Sequence, residues 1–221
     1  MPQHFDDLGM LGHMSFSSSE RAKMVALLHQ LGPDAPTLCE GWTTRDLVAH
    51  LWVRENRPDA AAGMFLSVLQ PHLEKESAKV ARRDFDELVD AWGRGPAKFN
   101  PARFLDAQQN LGEHFIHHED IRRANGQTEP RDFSVAVQKK LHRFLKIWAK
   151  LSLRKSTQPV ILQPDGMQRI VVADKHGVAD RGDRVVRVSG EVGELLLWAY
   201  GRDVVQVTIN GDESAIKMST L

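Results

Sequence analysis

The feature that most limits how this chain can fold is a change of texture near Lys155. Before it, apolar residues recur three and four positions apart. After it, they come in short β-branched runs separated by glycine and aspartate. The spacing predicts helices over 20–31, from Thr44 to about Asn56, from Pro58 to about 69, over 72–93 with a break near Asp84, over 102–124 and over 133–153. Met24, Leu27, Leu28 and Leu31 mark the buried face of the first. Val137, Leu141, Leu145, Trp148 and Leu151 mark that of the last. Thr43 followed by Asp46 reads as a capping box with aspartate in the usual glutamate position, and Gly32-Pro33 and Asn125-Gly126 read as helix stops. Beyond the change, 160–162, 169–173, 184–188 and 204–209 read as strands, with an apolar helix over 191–200 between the last two. The expected fold class is α plus α+β. A helical bundle of four or five members occupies residues 14–154 and a small α+β domain residues 158–221. Residues 1–13 form a tail without periodicity, and a serine-rich run at 15–19 leads into the first helix.

One bundle helix carries an unusual load. Within Asn110-Leu-Gly-Glu-His-Phe-Ile-His-His-Glu-Asp-Ile-Arg-Arg-Ala124 lie Glu113, His114, His117, His118, Glu119 and Asp120. Residues four apart on a helix share a face, with Cβ atoms about 5–6 Å apart. Glu113 therefore stacks over His117, and His114 over His118, as two overlapping candidate pairs for a metal. Each has a bland reading beside it: a solvated i,i+4 pair, or, for His118 and Glu119, a surface charge cluster with Arg122 and Arg123. His50 sits on an otherwise apolar helical face. It is either a core histidine hydrogen-bonded through both nitrogens or a third ligand, provided its helix neighbours the one holding Glu113.

Lysine plus arginine and aspartate plus glutamate each number 29 in a chain of 221, so no electrostatic footprint for nucleic acid is present. No apolar run approaches the ~20 residues that span a bilayer, and the first residues lack the order of a signal peptide. The expected location is the cytoplasm, with no membrane partner, and the single cysteine suits a reducing compartment. Cys39 is expected to pack beside Trp42 rather than to react, with Arg45 the one nearby cation. No phosphate loop, nucleophile elbow or dinucleotide fingerprint is present.

Leu38-Cys-Glu-Gly-Trp-Thr-Thr-Arg-Asp-Leu-Val-Ala-His-Leu51, followed by Glu113-His-Phe-Ile-His-His-Glu-Asp120, resembles the mycothiol-dependent maleylpyruvate isomerase family within the DinB-like four-helix bundles. It is most similar to predicted metal-binding members of that group. Val188-Ser-Gly-Glu191 and Leu195-Leu-Leu-Trp-Ala-Tyr-Gly-Arg202 resemble the family's small sterol-carrier-like second domain. The resemblance implies a divalent metal, most often zinc, held by His50, Glu113 and His117, and mycothiol as thiol cosubstrate. Two imidazoles and one carboxylate leave a coordination position open, as in catalytic zinc sites. It further implies a thiolate that adds to a cis-enoate, with rotation and elimination giving the trans isomer. Arg202 matches the arginine that the family directs toward the site, where a substrate carboxylate is expected to bind. The simpler reading of Arg202 is a cation at a helix C-terminus. The implied activity is a thiol-dependent isomerase or S-transferase acting on a small electrophile. A non-catalytic metal- or thiol-binding module is the alternative, and a lipid carrier a weaker third.

Overall fold

The computed structural model describes residues 15–61, 63, 67–96, 106–180 and 184–219. The expected tail, residues 62 and 64–66 of the third predicted helix, the loop from residue 97 and the first turn of the long helix lie outside the described residues.

α1 (Phe16–Leu31) begins four residues earlier than the sequence spacing predicts, because Ser15, not Ser19, caps it by accepting from the Ser18 amide at 3.1 Å. The earlier start brings Phe16 edge-on to Phe133. α2 (Thr44–Asn56) opens on the predicted capping box: the Thr43 amide and hydroxyl both donate to Asp46, at 2.9 and 2.8 Å. The helix expected from Pro58 to 69 is instead α3 (Pro58–Ala61), a 3-10 turn (Ser67–Leu69) and then α4 (Gln70–Ala81). Gly63 accounts for the tight path, since a Cβ there would lie 2.7 Å from the Leu69 carbonyl oxygen and 2.9 Å from Leu73. α5 (Phe85–Gly93) starts where Asp84 accepts from the Glu87 amide.

α6 (Asp106–Ala124) is followed by Gly126 at φ 85°, the left-handed residue that a helix stop needs. α7 (Val135–Ser152) buries Leu141 and Leu145 as predicted by spacing, and Ala149 besides, but Leu151 is 42% exposed. Two positions beyond Ala149, it lies about 200° around the helix from the buried line.

The strand region forms one four-stranded sheet in the order β2-β1-β3-β4. β1 (Val160–Pro164) runs parallel to β3 (Val186–Gly190), with Val160 opposite Val186. β2 (Ile170–Val172) and β4 (Thr208–Asn210) flank them antiparallel. β4 is shorter than the apolar run 204–209, because the chain there turns and the Gln206 amide donates to Glu194. α8 (Val192–Ala199) is buried along its whole length.

Two cores result. Met24, Leu28, Leu47, Leu51, Leu88 and Trp92 join α1, α2 and α5. The second runs through α6 (Phe115, Ile116), α7 (Leu141, Leu145), the sheet (Val160, Leu162, Val186) and α8 (Leu195, Leu196) without interruption at residues 154–158. A buried ion pair, Arg123 with Glu194, ties α6 to α8. No helix among the described residues is long and apolar enough to cross a membrane.

Candidate metal centre

α2, α6 and the C-terminal end of α8 send side chains into one cavity of about 510 Å³. His50 comes from α2 and Glu113 and His117 from α6, one turn apart. One donor atom of each lies within 4.8 Å of the others. The His117 Nε2 is 3.4 Å from Glu113 Oε2, and the rings of His50 and His117 meet edge-on with centroids 5.4 Å apart. Trp42 packs on the other side of His50 at 5.0 Å. Among the described residues no protein hydrogen bond reaches the His50 ring, which meets the rings of Trp42 and His117.

The electrostatics suit cation capture. Desolvation, reinforced by the charge of His117, pushes His50 down to about 3, so its lone pairs are available at neutral pH. Desolvation opposes charge on His117, but hydrogen bonds with Asp120, Cys39 and Glu113 outweigh it and raise its pKa well above the usual value. Burial drives Glu113 up, but the hydrogen bond and charge of His117, joined by the charges of Arg54 and His50, together outweigh it and bring it down to about 2. A metal ion held between them would compete with the proton on His117, so its binding would depend on pH.

Behind the donors stands a second layer. His117 Nδ1 donates to Asp120 Oδ2 at 3.0 Å, leaving Nε2 toward Glu113 and His50. That fixes the ring orientation, the arrangement common around metal-binding histidines. Asp120 is itself clamped by Arg202, whose Nε and Nη2 donate to its two oxygens at 2.7 and 2.9 Å, while Nη1 reaches the Tyr200 carbonyl at 3.3 Å. Arg202 thus lines the cavity with its fork turned to Asp120. The Cys39 thiol donates to Asp120 at 3.2 Å, and Arg202 Nη2 lies 3.6 Å from its sulfur. Arg45, the cation expected near it, instead donates to the carbonyls of Ala81 and Arg83. Asp120 is visible in the sequence as the residue three beyond His117, but nothing there separates it from the neighbouring acids.

The competing pair does not assemble. His114 turns to Ser17 and Glu55, at 2.9 and 3.1 Å, and His118 to Glu20 at 2.8 Å. The expected surface cluster of His118 and Glu119 with Arg122 and Arg123 is a buried one: His118 is 5% and Glu119 1% exposed, and Arg131 joins them. Only two three-donor groups occur among the described residues, His50–Glu113–His117 and Cys39–His117–Asp120. An aromatic wall completes the cavity, with Tyr200 stacked on Trp148 at 3.9 Å.

Residues 17–102 match the model of the mycothiol maleylpyruvate isomerase N-terminal domain. The N-terminal part of the chain is thus similar to that family's domain. The match takes in His50 but stops short of Glu113, His117 and Arg202. A crystal structure of a histidine-to-alanine mutant of the mycothiol-dependent maleylpyruvate isomerase has the same fold. It is 17% identical, with 90% of this chain and 91% of that one covered and a TM-score of 0.57. A second structure of the mycothiol-dependent maleylpyruvate isomerase is 21% identical over the same shares, with a TM-score of 0.49. No curated protein matches the chain in sequence. Helices followed by a small four-stranded sheet are therefore the fold this chain shares with that isomerase, at low identity.

Proposed function

We propose that this chain is an enzyme that binds a divalent metal and uses a low-molecular-weight thiol, mycothiol on the family likeness, to isomerise or thiolate a small electrophile. The observation that carries the reading is the convergence of His50, Glu113 and His117 on one cavity. Two imidazoles and a carboxylate suit zinc and leave it an open position. Bound there, the ion would lower the pKa of a thiol to which it is coordinated.

The chain's own residues do the rest. Asp120 holds the His117 ring in one orientation, and Arg202 holds Asp120. We assign Arg202 a positioning role through that carboxylate, in place of the substrate-carboxylate contact expected from sequence, because Asp120 takes both arms of its fork. Tyr200, Trp148 and Trp42 give the cavity an aromatic lining that excludes water from the thiol and admits a flat, unsaturated body. Purified protein is expected to carry about one zinc per chain and to accelerate loss of free mycothiol when presented with a panel of cis-enoates and other electrophiles. Stoichiometric metal with no thiol loss across the panel would leave the non-catalytic metal- or thiol-binding module in its place.

A further inference from the structure

The outward face of α7 is a concentration of positive charge in a chain whose net charge is zero. Lys139, Lys140, Arg143, Lys146 and Lys150 are all exposed, and Arg154 and Lys155 follow directly. α7 contains no acidic residue, and none of these seven cations forms an ion pair among the described residues. Isolated cations of this number on one helical face are unusual, because surface lysines normally alternate with acids.

Apolar side chains sit among them. Ile147 is 59% exposed and Leu151 42%, one turn apart on the same face. The Ser219 amide donates to the Ser152 carbonyl at 2.7 Å, which lays Lys217 and the 38% exposed Met218 across the end of the helix. Met218 and Trp148 also line the cavity, so the apolar edge of this face continues into the mouth of the candidate metal centre.

We infer that the α7 face is a docking surface for an anionic lipid bilayer. Charge complementarity selects an anionic partner and argues against a two-fold pairing of this face with itself, which would set seven cations against seven. The exposed Ile147, Leu151 and Met218 select lipid over a nucleic-acid duplex: phosphates take only the cations, whereas a bilayer interface takes the charges at the headgroups and the apolar side chains beneath them. Lysine stems of this length can lie along the surface while their ammonium groups reach the headgroups. The sequence expectation of no membrane partner came from the lack of a spanning segment, and a peripheral contact needs none. Such a contact would place the cavity mouth at the bilayer surface, where apolar electrophiles concentrate. Docking itself does not depend on the metal or on turnover.

The test is co-sedimentation of the full-length protein with phosphatidylcholine vesicles with and without phosphatidylglycerol, at low and physiological salt. Partitioning onto the phosphatidylglycerol vesicles alone, weakening with salt, is the expected result. Lys146→Glu/Lys150→Glu should lower it by at least about thirtyfold at low salt, since each lost cation near such a surface counts for about 1 kcal/mol and the two new carboxylates add repulsion. Ile147→Ser/Leu151→Ser should lower it several-fold while leaving any retention by double-stranded DNA unchanged. Circular dichroism and metal content of both variants should match the parent, which separates loss of docking from loss of the site. Absence of partitioning at low salt would overturn the inference, as would equal partitioning of the charge-reversed protein. Vesicle binding untouched by the serine pair but displaced fully by DNA would make the face a polyanion site instead.

Discussion

At the scale of single residues, the four polar side chains of one α6 turn do four different jobs. His117 faces the cavity, His118 is locked to Glu20, Glu119 joins Arg122, Arg123 and Arg131, and Asp120 braces His117. His117→Ala is accordingly expected to strip bound metal, measured by elemental analysis after dialysis. His118→Ala should retain it and lose about 1–3 kcal/mol in denaturant unfolding, because Glu20 is left with one buried partner fewer. If the His118 variant lost metal and the His117 variant kept it, the ligand assignment would be reversed. Arg202→Lys keeps the charge but not the planar fork that spans both Asp120 oxygens. Weakened positioning of a ligand's partner costs about 10–100-fold in metal affinity, readable by competition with a chromophoric chelator. An unchanged metal affinity with a raised KM for anionic substrates would return Arg202 to the role of substrate anchor.

At the scale of elements, contact between α6 and α7 depends on Gly112, where a Cβ would fall 2.2 Å from the Phe144 ring. Gly112→Ala gains helix propensity but must displace Phe144 from its stack with Tyr200. A net loss of about 1–3 kcal/mol is expected from overpacking, with a change in near-ultraviolet dichroism; an unaltered protein would mean that the ring swings away freely. Between α1 and α5, His29 bridges Asp86 and Asp90 at 2.9 and 3.0 Å. Its pKa is raised, chiefly by the Asp86 hydrogen bond against a small desolvation cost. The stability it gives is therefore complete below its unfolded value of about 6.5 and is lost as pH rises through the higher folded value. Unfolding midpoints of the parent and of His29→Gln should converge toward alkaline pH, and parallel curves would contradict the linkage.

Elements of this kind were legible wherever a local rule decides them: the Thr43 capping box, the Asp84 start, the Gly126 stop, and the order of strands and helices. They were illegible where a tertiary contact decides. Periodicity could not show that Gly63 folds against Leu69, nor that Leu151 turns outward. The facing of His50 toward Glu113 rested on the family likeness, since spacing within one helix says nothing about its neighbours.

At the scale of the whole molecule, the second core passes from α6 and α7 into the sheet and α8. The segment between α7 and β1 is held by the far end of the chain, where Thr157 donates to the Ala215 carbonyl and Ser156 accepts from the Lys217 amide. One cooperative transition is expected, with far-ultraviolet dichroism and tryptophan fluorescence coinciding through a denaturant series. Separated transitions would mark two independently stable units. The clamp of Arg202 on Asp120 has a consequence in time as well as space. On the ribosome, His50, Glu113 and His117 all emerge long before residue 202, so a nascent chain presents every donor while the brace behind His117 is still missing. On the proposed ligand assignment, metal captured at that stage would be held by an unsupported ring and would exchange readily. Firm retention would begin only once Arg202 has been made and docked on Asp120.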